Sequence, residues 1–170
     1  DGDTINVRFY GQAAGHAVCE YLVEEQGIYL CSYTLTETGV YTPEITINGV
    51  ILSYSSTISV SSGVIHGPTC DIYNLQSLNN TLPAGYPEFL IIQSRDQFEN
   101  ALSTTTDEYV VNISDGTVSI NATITNMGSG QYNVSFTPTV TGTYEVSILL
   151  DNITDIYNSP YTLTVIPGDH

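Results

Sequence analysis

The sequence predicts an all-β protein built as tandem β-sandwiches, the first of them incomplete, and three observations carry that expectation. Residues 130–148, GQYNVSFTPTVTGTYEVSI, alternate strictly: Tyr132, Val134 and Phe136 share one face, Asn133, Ser135 and Thr137 the other, and Tyr144, Val146 and Ile148 resume the pattern after a break at 138–142. The stretch also occurs twice. Gly27, Tyr29, Ser32, Tyr33, Thr34, Thr36, Thr38, Gly39 and Tyr41 stand 103 positions (130 − 27) ahead of Gly130, Tyr132, Ser135, Phe136, Thr137, Thr139, Thr141, Gly142 and Tyr144. A repeat of about 100 residues made only of short strands is the size of one sandwich. Finally, hydrophobic residues make up 41% of the 170-residue chain and Val, Ile, Thr and Tyr dominate, which excludes wholesale disorder although only 12% of residues are charged.

In chain order, residues 3–10 alternate with Ile5, Val7 and Phe9 inward. Residues 17–23 and 28–34 form a hairpin around Glu24, Glu25, Gln26 and Gly27, and a strand over 40–47 follows. Asn48-Gly49 turns it into a last strand at 55–60, so residues 1–60 hold five strands. Residues 61–68, SSGVIHGP, have the composition of a linker. Residues 69–170 then offer strands at 70–75, 88–93, 108–114, 118–125, 131–137, 143–150 and 161–166. Seven strands complete an immunoglobulin-like sandwich.

Charge excludes whole classes of function. Arg8 and Arg95 are the only basic residues apart from three histidines, and the formal net charge is −16, so the chain has no basic surface with which to displace counterions from nucleic acid or anionic membrane. No run is long enough to span a membrane and no signal peptide opens the chain, so Asp1 reads as the start of a mature or trimmed fragment. His16, His66 and His170 are scattered, with neither metal spacing nor a nucleophile beside them, and Gly128-Ser129-Gly130 reads as a hairpin turn rather than a phosphate loop. No catalysis and no cofactor are expected. The acidic residues read either as a solvated surface or as a calcium site: Asp107, Glu108 and Asp115 are expected together by one end of a strand, with Asp151 and Asp155 in the turn before the last one, although no DxDxDG-like loop is present.

Solubility rests on something other than charge. Five N-x-Ser/Thr sequons stand at Asn79, Asn112, Asn121, Asn133 and Asn152. The alternation turns Asn112, Asn121 and Asn133 outward, and Asn79 and Asn152 fall in loops, so N-linked glycans and a secretory route to the cell surface or beyond are expected. Cys19 and Cys31 flank the hairpin symmetrically on the inward face, within reach of a disulfide. The repeat puts Ala122 and Val134 at the same places, so the alternative is two small buried hydrophobes. Cys70 is left over, as a buried thiol or with a partner outside the chain.

The second unit resembles a known family. Ala84-Gly85-Tyr86-Pro87 leading into Phe89-Leu90-Ile91-Ile92, then Asp96, Gly130-Gln131-Tyr132-Asn133-Val134-Ser135-Phe136-Thr137-Pro138, Thr141-Gly142-Thr143-Tyr144 and Ser159-Pro160-Tyr161-Thr162-Leu163-Thr164-Val165 are similar to the filamin-type immunoglobulin repeat from about residue 67 to 167. Residues 3–60 follow only the later half of that pattern, with Ser55-Ser56-Thr57 in place of Ser-Pro-Phe. The resemblance implies non-catalytic modules that act as rods, spacers or adhesive surfaces. The sequons direct it toward extracellular filamin-like proteins of protists, algae and plants and away from actin crosslinking. It also implies that an extended peptide pairs with the exposed edge of the strand at 108–114, where an outward Asn112 with its glycan stands in the way.

Two functions are in view: a structural subunit of an extracellular glycosylated filament, and an adhesion or receptor ectodomain in which the modules space a binding surface. The first unit begins at what is the third strand of the second. Its inward Ile5, Val7, Phe9, Tyr29, Tyr33 and Tyr41 are therefore expected to be partly uncovered, forming an interface. Either a longer chain or the strands of another copy would complete it, the latter linking copies head to tail. No sequon falls in residues 1–60, as an enclosed junction requires.

Overall fold

The computed structural model describes residues 2–23, 27–53, 56–74, 80–104 and 106–168. The chain divides into two compact units, residues 1–61 and 62–170.

The first unit holds β1 (Ile5–Tyr10), β2 (Gly15–His16), β3 (Val18–Tyr21), β4 (Tyr29–Ser32), β5 (Gly39–Ile47), β6 (Val50–Ile51) and β7 (Ile58–Val60). β1 pairs with β2 and β5, while β6 and β7 both pair with β5. β3 and β4 form a separate two-stranded layer. The Asn48-Gly49 turn, with φ of 51° and 79°, leads into the short β6 rather than into the last strand. Positive φ at both turn residues is what a tight two-residue hairpin requires. Among the described residues seven strands thus replace the five expected, because Gly15–His16 pairs separately with β1 and the end of β5 folds back into β6 before β7 begins.

Val7, Phe9 and Tyr41 are buried between the two layers, with Ile5, Ala17, Cys19, Cys31, Leu35, Ile45, Ile58 and Val60 packed around them. This corrects the expectation of an uncovered interface: Phe9 is 2% exposed and Tyr41 0%. The β1–β5 ladder runs over six residue pairs and its inward face lies on the β3–β4 hairpin, which is enough to enclose the large side chains at its centre. Tyr29 is half-buried, and Tyr33, one residue past β4, is 48% exposed.

The second unit opens with a 3₁₀ turn, Gly67–Thr69, and continues through β8 (Asp71–Tyr73), β9 (Thr81–Pro83), β10 (Glu88–Gln93), β11 (Tyr109–Ser114) and β12 (Ser119–Ile120). β13 (Ala122–Gly128), β14 (Gln131–Phe136), β15 (Gly142–Leu150), β16 (Thr154–Asp155) and β17 (Tyr161–Ile166) complete it. One sheet has the order β13-β14-β10-β8, the other β12-β11-β15-β17-β9, with β16 also on β15. Every pairing is antiparallel except β17 with β9. Alternate residues of the two inner faces, among them Leu90, Ile92, Val134, Val146, Ile148 and Leu163, are fully buried and make the core.

The repeat in the sequence is a repeat in the fold. β1, β2, β3, β4, β5 and β7 have the connectivity of β11, β12, β13, β14, β15 and β17, and β5 (39–47) and β15 (142–150) coincide at the 103-residue offset. Each unit ties the start of its long strand with the same bond: Tyr41 Oη donates to Glu37 O and Tyr144 Oη to Val140 O, both at 2.9 Å. This is the tyrosine corner of Greek-key sandwiches. The hairpins differ in register. Cys19 opposes Cys31, whereas Val134 opposes Ile124 and Ala122 opposes Phe136. The first hairpin spends two more residues between its paired positions (31 − 19 = 12 against 134 − 124 = 10), so the counterpart of Cys19 is Ile124 and not Ala122.

Candidate interaction surface

Strand edges are where this fold offers backbone hydrogen bonds to something else, and the two units differ there. In the second unit β14 lies between β13 and β10, and β17 between β15 and β9. In the first unit, among the described residues, β4 pairs only with β3 and β7 only with β5. Among its described residues no strand corresponds to β8, β9 or β10. Beside the open edge of β4, Ile28, Leu30 and Tyr33 are 45%, 49% and 48% exposed, and Val18 on β3 is exposed as well. The Tyr29 hydroxyl is buried with no hydrogen-bond partner. Its counterpart Tyr132 packs edge-on against Tyr109 and donates to Asp107 O at 3.0 Å. Burial raises the pKa of Tyr29, and the nearby carboxylate of Asp3 adds to the effect.

Cys19 and Cys31 are joined by a disulfide, with Cα atoms 4.0 Å apart, on the inward face of the β3–β4 hairpin. Cys70 is a buried free thiol that donates to His66 O at 3.4 Å and accepts from Arg95 N–H at 3.3 Å. A sulfur with 0% exposure is closed to a second chain while the unit is folded.

The β11 edge is partly covered. β12 pairs with it at Ile113 and Ser114, leaving residues 109–112 bonded only to β15. Asn112 is exposed beside that free length. Of the other sequons, Asn121 and Asn152 are exposed and Asn79 lies outside the described residues. Asn133 faces outward but is only half-exposed, because β14 is an inner strand and Thr125 and Ile91 flank it in the ladder.

The acidic residues divide between two places: Glu108 N–H donates to Asp151 Oδ1 at 3.4 Å and Asp151 N–H to Glu108 O at 2.8 Å, while Asp115 stands apart from both. Asp107 and Glu108 precede β11 and Asp115 follows it, so a six-residue strand, about 20 Å, separates them. The grouping expected from the sequence is thereby corrected. Asp115 Oδ1 is occupied by Thr117 N–H, Thr117 Oγ1–H and Val118 N–H, bonds that hold its pKa below the usual carboxylate range. Among the described residues no three His, Cys, Asp or Glu side chains converge as metal ligands. His16 and His66 are exposed in separate units, and His170 lies outside the described residues. A groove of about 490 Å³ runs beside Val118, Ile120, Asn121, Thr123, Phe136 and Val140, and no carboxylate, histidine or cysteine lines it.

The most elaborate polar site is one that sequence reasoning missed. The carboxylate of Asp96, 2% exposed, accepts the N–H groups of Phe98 (2.9 Å) and Asn100 (3.0 Å), the side-chain amide of Asn100, and the N–H of Gly63 (2.8 Å). The Asp96 carbonyl accepts Thr69 Oγ1–H at 2.7 Å, and Arg95 O accepts His66 N–H at 2.8 Å. Residues 63–69 are therefore bonded into the second unit and do not form a free linker. Burial alone would raise the Asp96 pKa, but these donors outweigh it and hold the group below the ordinary aspartate range. Beside it Arg95 Nε pairs with Asp71 Oδ1 at 3.3 Å, and its other nitrogens reach Tyr73 Oη and Glu99 O. These contacts tie residues 63–71 to the stretch 95–100.

Comparison with known proteins fits this geometry. Residues 66–162 match the Filamin family, described as the Filamin/ABP280 repeat. Over 125 residues, 72% of the chain, the sequence is 30% identical to the inverse autotransporter adhesin YeeJ of Escherichia coli (strain K12), of which it spans 5%. The crystal structure of the Lin-41 filamin domain superposes with a TM-score of 0.53 and 21% identity, covering 61% of this chain and 98% of that one. The Escherichia coli adhesin FdeC (TM-score 0.52, 16% identity) covers 99% of this chain, which spans 52% of it. Invasin, a bacterial integrin-binding protein (TM-score 0.50, 15% identity), covers 98% of this chain, which spans 33% of it. At these identities the solved structures bear on the fold. The adhesins are bacterial, a source outside the protists, algae and plants toward which the resemblance pointed.

Proposed function

Because the chain belongs to the filamin-repeat family, we propose that it is a stretch of tandem immunoglobulin-like modules in a surface adhesin or ectodomain, where it spaces a binding surface and carries out no catalysis. The observation that carries this reading is the 30% identity over 72% of the chain to an adhesin of which it spans only 5%. Two modules of this kind in a chain many times longer act as spacing units, since a sandwich with a filled core contributes length and surface. Exposure of Asn112, Asn121 and Asn152 supports N-glycans at those positions, and extracellular exposure also suits the Cys19–Cys31 disulfide. The test uses antibodies raised against residues 1–170 on intact cells of the source organism. Staining without permeabilisation is expected, and staining only after permeabilisation would overturn the reading. Mass measurement of the native protein before and after deglycosylation tests the glycans.

A second reading, head-to-tail assembly into a glycan-sheathed fibre, draws on the open edge of β4. Electron microscopy of native material separates the two: regular filaments favour the fibre.

A further inference from the structure

We propose that an N-linked glycan on Asn133 lies down on the outer face of the β13-β14-β10-β8 sheet, where its first sugars cover an apolar patch made by Phe89, Ile91 and Tyr73. The patch follows from parity and register. Leu90, Ile92 and Val134 are fully buried in the core, so the residues between and beside them, Phe89, Ile91 and Asn133, face out. Ile91 stands directly opposite Asn133 on β14 and opposite Tyr73 on β8, while Phe89 stands opposite Ser135. Asn133, Ile91 and Tyr73 thus form one row across three strands, with Phe89 diagonal to Asn133. Phe89 is 47% and Tyr73 40% exposed, a large aromatic surface for the outside of a sheet.

The occupant is argued from the sequon itself, since Asn133-Val134-Ser135 places the point of attachment at the border of the patch. Neighbouring strands lie about 4.8 Å apart, so Tyr73, two strands away, is about 10 Å from Asn133 and within the span of the first two sugars. A pyranose ring has the matching chemistry: its C–H face packs on the electron-rich face of an aromatic ring, and its hydroxyls seek hydrogen bonds at the rim. Ser135 on β14 and the exposed Thr123 and Thr125 on β13 offer such bonds on the side away from the aromatics. Arg95 Nη2 donates to Tyr73 Oη, which holds that ring in place at the far border. A tethered sugar is present at high effective concentration, so contacts too weak to hold a free saccharide suffice to keep it down. Asn112, paired with Ser147 on β15, supplies the control.

The proposal rests on the surface reading with its glycans and fails separately from it. Peptide mapping of the native protein is expected to find a glycan at Asn133. A bare Asn133 beside occupied Asn112, Asn121 or Asn152 would overturn the proposal and leave the surface reading intact, whereas no glycan at any site would overturn this proposal together with the glycans of that reading. The second measurement is calorimetry on residues 1–170 secreted from a eukaryotic host, compared with the same variants made without glycans. In the glycosylated chain Asn133→Gln is expected to lower the Tm of the second unit by about 4 °C, the shift for a roughly fivefold change in the unfolding equilibrium, and Asn112→Gln by less than about 1 °C. In the chain made without glycans Asn133→Gln changes nothing. With Tyr73→Ser and Phe89→Ser both in place, Asn133→Gln costs nothing further in the glycosylated chain either. Equal losses for Asn133→Gln and Asn112→Gln, or a loss that persists without the two aromatics, would mean that the glycan stands off in solvent and would overturn the proposal. So would dimerisation of the glycosylated chain that Phe89→Ser abolishes, which would make a second copy the occupant.

Discussion

Replacing Asp96 by alanine removes one carboxylate and leaves three backbone N–H groups, those of Gly63, Phe98 and Asn100, without their acceptor. Orphaning a buried donor costs about 1–3 kcal/mol, and bonds to a charged acceptor lie in the upper part of that range. Gly63 and Phe98 are themselves exposed and Asn100 half-exposed, so water reaches the vacated donors and the low end applies. Three donors at about 1 kcal/mol each give about 3 kcal/mol, and at about 4 °C per kcal/mol for a unit of this size Tm falls by about 12 °C. The carboxylate also anchors Gly63, 33 positions away, so the loss includes the attachment of residues 62–69. Differential scanning calorimetry on residues 1–170 is the assay, read on the transition of the second unit. Asp96→Asn keeps one oxygen for Phe98 and Asn100 but turns an N–H toward Gly63, so an intermediate drop is expected. A D96A protein melting within about 2 °C of the parent would refute the reasoning, because it would mean that water replaces the carboxylate without cost.

Three further outcomes are expected. Reducing the Cys19–Cys31 disulfide, or replacing both cysteines by serine, lowers the stability of the first unit by about 3 kcal/mol, the closure entropy of a short loop, and leaves the second unit's transition in place; melting with and without reductant checks it. Tyr41→Phe and Tyr144→Phe each cost about 1 kcal/mol in their own unit through the lost bond to Glu37 O or Val140 O, read by urea denaturation. Asp96 and Asp115 both have folded pKa values held below the ordinary aspartate value of about 4, so their contribution is complete above that pH and is lost as pH falls through the lower folded values. Tm should therefore hold from pH 7 to 5 and fall below pH 4, with a smaller acid-induced loss in Asp96→Asn.

Legibility in the sequence followed one physical rule: what alternates is visible, and what depends on a distant neighbour is not. β14 and β15 bury one face each, so Tyr132, Val134, Phe136, Tyr144, Val146 and Ile148 could be read from parity alone. β9 could not, because Thr81, Leu82 and Pro83 are too few to alternate and pair in parallel with a strand some 80 positions later. Asn133 has the outward parity expected, but its exposure is decided by Thr125 and Ile91 on either side. The Asp96 site depends on Gly63 being brought to it, and nothing local in Arg95-Asp96-Gln97 announces that. The enclosure of Phe9 and Tyr41 was missed for the opposite reason. Unpaired strand edges do not leave the centre of the unit bare.

The disulfide lies in the shorter of the first unit's two layers. Among the described residues sixteen side chains form the fully buried core of the second unit and three that of the first. The crosslink joins β3 to β4, a hairpin of four residue pairs, and not the six-pair ladder of β1 and β5. In the second unit the corresponding hairpin has β10 alongside and carries Ile124 and Val134, without a crosslink, at the paired position. The disulfide fixes that hairpin in register, so that the edge of β4 is already formed for any strand that pairs with it. A preformed edge loses less entropy on pairing, which favours addition of a strand over refolding of the whole unit around it.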